Sequence, residues 1–328
     1  MRADYSAAVR YLRRRQIAAW AGLRVLVPPE RQPHVAAASA LARYTDDLCD
    51  RGPVEGRKQR FGEWAARVGR ALDTGGSDNQ LIRAYLHSES VLTLSRQWIG
   101  AYLAGTRTDV EFHGFADEAD YQRYIDIVAL PALMLVTEPV LRLVSDTCFE
   151  ASARLIADGT QRAEFLTDLF EDLRDGRLAL PVCDLEAHGV TRQDLRDGRD
   201  TPGVRALIAA TASAARASLV QGERIVDEVA PEYRPMLHGL IGVFHKRLDD
   251  VSIRGAAITR RPYQDAPVAC LRLLVSSRRV GDRRKSSPTV RNASSHRFGS
   301  PAKTAAYEGE WCEAALRASR SDERPVRS

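Results

Sequence analysis

Two short clusters of carboxylates are the residues best suited to chemistry. The first is "RYTDDLCD", where Asp46, Asp47 and Asp50 fall within five residues. The second is "QRAEFLTDLFEDLRDGRLALP", where Glu164, Asp168 and Asp172 follow at i, i+4 and i+8, with Glu171 and Asp175 interleaved. On a helix each set forms one acidic stripe. Like charges at that spacing repel by a few tenths of a kcal/mol per pair, so a stripe is either a solvated face or a site awaiting a cation. One stripe alone is usually the former. Two in one helical domain can be aimed by facing helices into a shared cavity. An all-carboxylate donor set suits magnesium better than zinc or copper. Magnesium keeps waters and bridges to phosphate, so the natural ligand is a diphosphate. The chemistry is metal-assisted departure of that diphosphate, with positive charge developing on carbon inside an apolar cavity.

The elements that must carry these stripes read as helices. Ala, Leu, Arg and Glu dominate, apolar residues recur three and four apart, and β-branched alternation is scarce. The spacing predicts an all-α protein with helices over about 5–22, 32–50, 56–73, 78–88, 96–104, 117–143, 146–175, 201–229 and 232–257. Turn chemistry separates them, at "VPPER", "DTGGSDN", "HGF", "DGRLALP" and "RDTPG". Beyond about residue 270 the composition turns polar, basic and aperiodic, which predicts a helical domain over 1–270 and a basic, disordered tail over 271–328.

That tail also explains the charge. Of the net +5, residues 276–328 contribute twelve Lys and Arg against six Asp and Glu, leaving residues 1–275 about neutral. Such a tail attracts polyanions generally and carries no nucleic-acid-reading signature, so a nucleic-acid partner is set aside. Five cysteines without a CxxC pair indicate neither a disulfide framework nor a zinc knuckle and fit a reducing cytoplasm. The charged N-terminus lacks the apolar core of a signal peptide, and the apolar run "IVALPALMLV" is short for a membrane span. At most peripheral membrane contact is expected.

Beyond the acidic clusters, further motifs stand in order. "GLRVLVPPER" ends at Arg31; Arg43 stands three residues before the DDxxD aspartates; Gly105, Asp109, Val110, Phe115, Tyr124, Val128 and Ala129 form a middle pattern. Gln161, Asp168, Glu171, Asp172, Gly176, Arg177, Leu180 and Pro181 match QxxNxxRDxxEDxxRGRxYLP. Over roughly residues 20–260 the chain resembles the squalene/phytoene synthase family of isoprenyl diphosphate enzymes. The resemblance implies an all-α isoprenoid-synthase bundle whose acidic motifs face each other across a central cavity. It implies Mg2+ held by Asp46, Asp47, Asp50, Asp168 and Asp172, with Arg43, Gln161 and Arg177 near the diphosphate. Geranyl, farnesyl or geranylgeranyl diphosphate would be the allylic substrate.

The chain departs from the family pattern at several positions. Glu164 replaces Asn and adds a possible metal ligand; Thr167 and Asp175 each replace Arg; Ala179 replaces Tyr; Leu219 and Val220 occupy a Tyr-bearing region. Leu130 and Leu133 stand where small glycines leave room. Head-to-head coupling of two diphosphates is the family's usual reaction. Fewer cations favour transfer of one prenyl group to an aromatic acceptor, such as a phenazine, in secondary metabolism, since Arg is the best bidentate phosphate ligand. A non-catalytic family member is a third reading, but it has no reason to keep five aspartates. Tyr44 and Phe165, beside the stripes, are candidate substrate-binding rings able to stabilise a carbocation. Arg216 is either a diphosphate contact or a helix-surface cation. Trp64 and Trp98 read as packing anchors, and His113 and His188 as loop residues without paired ligands.

Overall fold

The computed structural model describes residues 1–50, 55–110, 112, 114–141, 147–264 and 277, with the side chains of Asp50, Asp109, Thr147 and Cys148 excepted. The expected domain boundary near residue 270 and the basic tail therefore lie outside the described residues, Ser277 apart. No strand occurs among the described residues. In chain order the helices are α1 (Arg2–Arg15), α2 (Ile17–Leu26), α3 (Gln32–Asp50), α4 (Arg57–Thr74), α5 (Gln80–Leu92), α6 (Arg96–Asp109), α7 (Glu118–Tyr124) and α8 (Leu130–Leu141). They continue with α9 (Thr147–Thr167), α10 (Leu169–Arg174), α11 (Val182–Ala187), α12 (Arg192–Arg196), α13 (Pro202–Gly222) and α14 (Arg234–Arg254).

Local chemistry sets many of these ends. Asn79 caps α5 by accepting from the Leu81 and Ile82 N–H groups, and Thr201 caps α13 with Pro202 in its first turn. Gly75 closes α4 in the left-handed conformation (φ 73°). Three expected helices are divided. The first breaks at Gln16 (φ −144°, ψ 74°) into α1 and α2. The segment expected over 117–143 is one 24-residue helical run, Glu118–Leu141, containing a π-helical stretch, Ile125–Ala129, between α7 and α8. That run is apolar enough to cross a membrane, yet 61% of its apolar window is buried inside the protein, as in a core helix.

The third division matters most for the site. The helix expected over 146–175 kinks at Thr167–Asp168. The Thr167 hydroxyl donates back to the Glu164 carbonyl (3.0 Å) and Asp168 adopts φ −93°, ψ 0°. The hydrogen-bond ladder nevertheless bridges the kink, from the Asp168 N–H to Glu164 (2.8 Å) and from the Asp172 N–H to Asp168 (2.9 Å). The acidic residues stay one turn apart.

α3 lies between two cores. Ala36 and Ala40 belong to the larger core built around α9, α13 and α14, while Ala38, Leu41 and Ala42 belong to a second one with Trp64, Tyr85 and Tyr102. Small side chains on both faces let neighbouring helices close on α3, and burial of the apolar surface stabilises the arrangement. Two glycines permit other close approaches. A Cβ on Gly105 of α6 would lie 1.8 Å from the Ile127 carbonyl oxygen in the π-helical stretch. A Cβ on Gly159 of α9 would lie 2.8 Å from the Ala215 carbonyl oxygen of α13.

Candidate active site

The C-terminal half of α3 presents the first acidic motif. Asp46 is half-buried, and its Oδ1 accepts a hydrogen bond from the Tyr102 hydroxyl of α6 (2.6 Å). Asp47 points elsewhere. Its Oδ2 accepts from the Tyr11 hydroxyl (2.5 Å) and the Arg15 Nε (2.7 Å), both on α1, while its Oδ1 accepts from Arg43 Nη2 (2.8 Å). Burial alone would raise this carboxyl, but the hydrogen bonds from Arg15 and Tyr11 and the Arg43 charge outweigh it and hold Asp47 at about 2. Burial, with the Asp47 hydrogen bond, pushes the Tyr11 hydroxyl up.

The second motif comes from α9 and α10. Gln161 and Glu164 are half-buried, Asp168 is exposed at the kink, and Asp172 is half-buried in α10. Glu164 links the two motifs. Burial first, then the charges of Asp168 and Asp46, raise its carboxyl to about 7 against the opposing pull of Arg247 and Arg43. A residue of α9 thus feels Asp46 and Arg43 of α3 together with Arg247 of α14. Asp46 of α3 lies within electrostatic reach of Glu164 of α9.

Several expected site residues have other surroundings. Asp47, expected beside Asp46 as a metal ligand, is turned toward α1 because consecutive helical residues point about 100° apart. Tyr44 packs between Tyr11 and Trp64, with ring centroids 5.7 and 4.5 Å away, so its ring joins α1, α3 and α4. Phe165 joins an aromatic group with Phe115, Tyr121 and Tyr124, at centroid distances of 5.9, 6.3 and 5.8 Å. Arg177 lies over the Phe112 ring (5.6 Å), and Phe112 contacts Phe115 (4.8 Å), so this arginine borders the same aromatic group. Arg216 pairs with Asp249 on the α13–α14 surface (2.9 Å), both side chains being more than a third exposed (37% and 58%), which is the helix-surface alternative. The Asp50 side chain and His113 lie outside the described residues, and His188 Nδ1 sits 2.8 Å from the Asp184 carbonyl oxygen.

Tyr11, Arg15, Tyr102 and Arg247 carry no motif in the sequence and emerge only from long-range packing. Among the described residues, no three His, Cys, Asp or Glu side chains already converge as a metal-ligand group. The donor chemistry nevertheless fits a magnesium diphosphate. The oxygens of both motifs are carboxylates, Glu164 is driven toward neutrality by burial and then by Asp168 and Asp46, and the buried Arg43 Nε has no hydrogen-bond partner. Buried guanidinium donors are costly to leave unpaired, and a phosphate oxygen would satisfy this one. A separate groove of about 520 Å³ beside α4, bordered by Glu63, Arg67 and Asp78, contains none of the acidic-motif residues.

Comparison with known proteins supports the all-α fold. A family model described as squalene/phytoene synthase matches residues 22–272. The bifunctional protein CrtB/UppS of Streptomyces coelicolor is 28% identical over 257 residues, covering 77% of this chain and 44% of that protein. Phytoene synthase 3 of Zea mays is 26% identical over 282 residues, covering 80% of this chain and 65% of that protein. The chain therefore spans about half the length of the curated relatives it matches. Among solved structures, squalene synthase HpnC from Alicyclobacillus acidocaldarius superposes with a TM-score of 0.70 at 24% identity, covering 80% of this chain and 96% of that one. The all-α isoprenoid-synthase fold is thus common to both, and the chain belongs to the squalene/phytoene synthase family.

Proposed function

We propose that the chain is a magnesium-dependent prenyltransferase that ionises an allylic isoprenyl diphosphate and couples the prenyl cation to a second isoprenyl diphosphate, head to head. The carrying observation is the presence of both acidic motifs, on α3 and on α9 and α10, in a chain that the squalene/phytoene synthase family model matches over residues 22–272. Asp46, Asp50, Asp168 and Asp172 would hold magnesium, with Glu164 beside them. Bound magnesium supplies positive charge that neutralises the departing diphosphate. Arg43 offers its buried, unpartnered Nε to a phosphate oxygen. Tyr102 fixes the Asp46 carboxylate, limiting reorganisation as charge moves to the leaving group. The rings of Phe112, Phe115, Tyr124 and Phe165 form an apolar wall whose faces favour a carbocation and exclude water. A cytoplasmic setting would keep a thiol such as that of Cys183 reduced.

A second reading, transfer of one prenyl group to an aromatic acceptor, is favoured by Thr167. Its hydroxyl is committed to the Glu164 carbonyl, at a position where the family pattern carries a phosphate-binding arginine. Incubation of purified protein with magnesium and farnesyl or geranylgeranyl diphosphate, with product mass as the readout, separates the two. Head-to-head coupling yields hydrocarbon from diphosphate alone. Diphosphate release that occurs only when an aromatic acceptor is added supports the second reading.

A further inference from the structure

The N-terminal helix has a link to the site that lies ahead of the family match, which begins at residue 22. Tyr11 and Arg15 stand one turn apart on α1, so both reach the same carboxylate oxygen of Asp47, at 2.5 and 2.7 Å. Arg43, one turn before Asp47 on α3, takes the other oxygen at 2.8 Å. The Asp47 side chain is only 8% exposed, so each of these bonds replaces water rather than competing with it. α1 is fastened independently at its opposite end. There Arg83 of α5 pairs with Asp4 (2.6 Å), and the Tyr5 hydroxyl lies 2.8 Å from His87 Nδ1 and 2.9 Å from the Ser88 hydroxyl. Ala8 and Leu12 are buried between the two fastenings.

We propose that Tyr11 and Arg15 are positioning residues for the diphosphate site, acting through Asp47 to aim Arg43 and to fix the acidic end of α3. The proposal rests on the metal-diphosphate reading above. Two features of the geometry carry it. Asp47 engages Arg43 through Nη2, which sets the direction of the guanidinium whose Nε remains buried and unpartnered. The positive charge of Arg15 also neutralises the Asp47 carboxylate and holds it toward α1, away from Asp46. Without Tyr11 and Arg15, Asp47 loses two of the bonds that hold it, and the Arg43 guanidinium loses its fixed orientation.

The test compares the two ends of α1. Calorimetry measures the binding of inorganic diphosphate in the presence of Mg2+ to wild type, Arg15→Met, Tyr11→Phe and Asp4→Asn, with melting temperature recorded for each. Arg15→Met should weaken binding by about tenfold, as loss of one charged hydrogen bond does, and Tyr11→Phe by less. Asp4→Asn loosens the far end of α1 and should lower the melting temperature while leaving diphosphate affinity unchanged. A folded Arg15→Met protein that binds within twofold of wild type overturns the proposal, as does Asp4→Asn weakening binding as much as Arg15→Met. Absence of binding by wild type instead overturns the reading on which the proposal rests.

Discussion

The carboxyl of Glu164 gives a quantitative handle on the facing of the two motifs. Its value is raised from 4.5 to about 7, chiefly by burial and further by Asp168 and Asp46. A group raised in the folded state keeps its proton there after the unfolded chain has released it, so folding stability falls as pH rises from about 4.5 through 7 and stays lowered above. The displacement corresponds to about 3 kcal/mol, and solvent screening of a half-buried side chain brings it to about 2 kcal/mol. For a domain of this size that is roughly 4–8 °C in melting temperature. Glu164→Gln removes the titration and keeps the shape. With EDTA present, melting curves followed by circular dichroism at pH 5 and pH 8 should show wild type losing that much more than the variant. Saturating Mg2+ at pH 8 should recover more stability in wild type than in Glu164→Gln. Parallel pH dependence of the two proteins would refute the claim that burial and the charges of Asp168 and Asp46 raise Glu164.

Other perturbations follow from single contacts. Tyr102→Phe removes the hydroxyl held against Asp46 and should lower turnover about tenfold through loss of roughly 1–2 kcal/mol of orientation, measured as kcat with prenyl diphosphate. Gly105→Ala drives a methyl into the Ile127 carbonyl and should cost about 1–3 kcal/mol in urea unfolding, because backbone must move. Arg216→Ala breaks a surface pair with Asp249, so stability should change by less than about 1 kcal/mol and turnover should stay the same.

Helical character, the two acidic stripes and the likeness carried by "VPPER" and DDxxD are local patterns, and they are readable because periodicity and spacing are properties of neighbouring residues. What the sequence hides is set by distant ones. Tyr11 meets Asp47 across 36 residues and Tyr102 meets Asp46 across 56, and neither tyrosine differs in its surroundings from a packing residue. The break at Gln16 has no Gly or Pro to announce it. The kink at Thr167 depends on a hydroxyl folding back onto its own helix, which residue type permits but does not require. Tyr44 and Phe165 show how ring direction is set by packing. Adjacency to an acidic residue in sequence does not give a ring the same direction on a helix. Tyr44 therefore turns to Trp64, and Phe165 to the aromatic group around Phe115.

Whether the two motifs act together on one ligand is tested most directly by diphosphate binding to variants of opposite helices. Calorimetry with inorganic diphosphate, with and without Mg2+, should show binding to wild type that requires the metal. That binding should be lost equally in Asp46→Asn of α3 and Asp168→Asn beyond α9, with both variants still melting cooperatively. Binding that is independent of magnesium, or that survives either substitution unchanged, would contradict a site shared between the facing stripes.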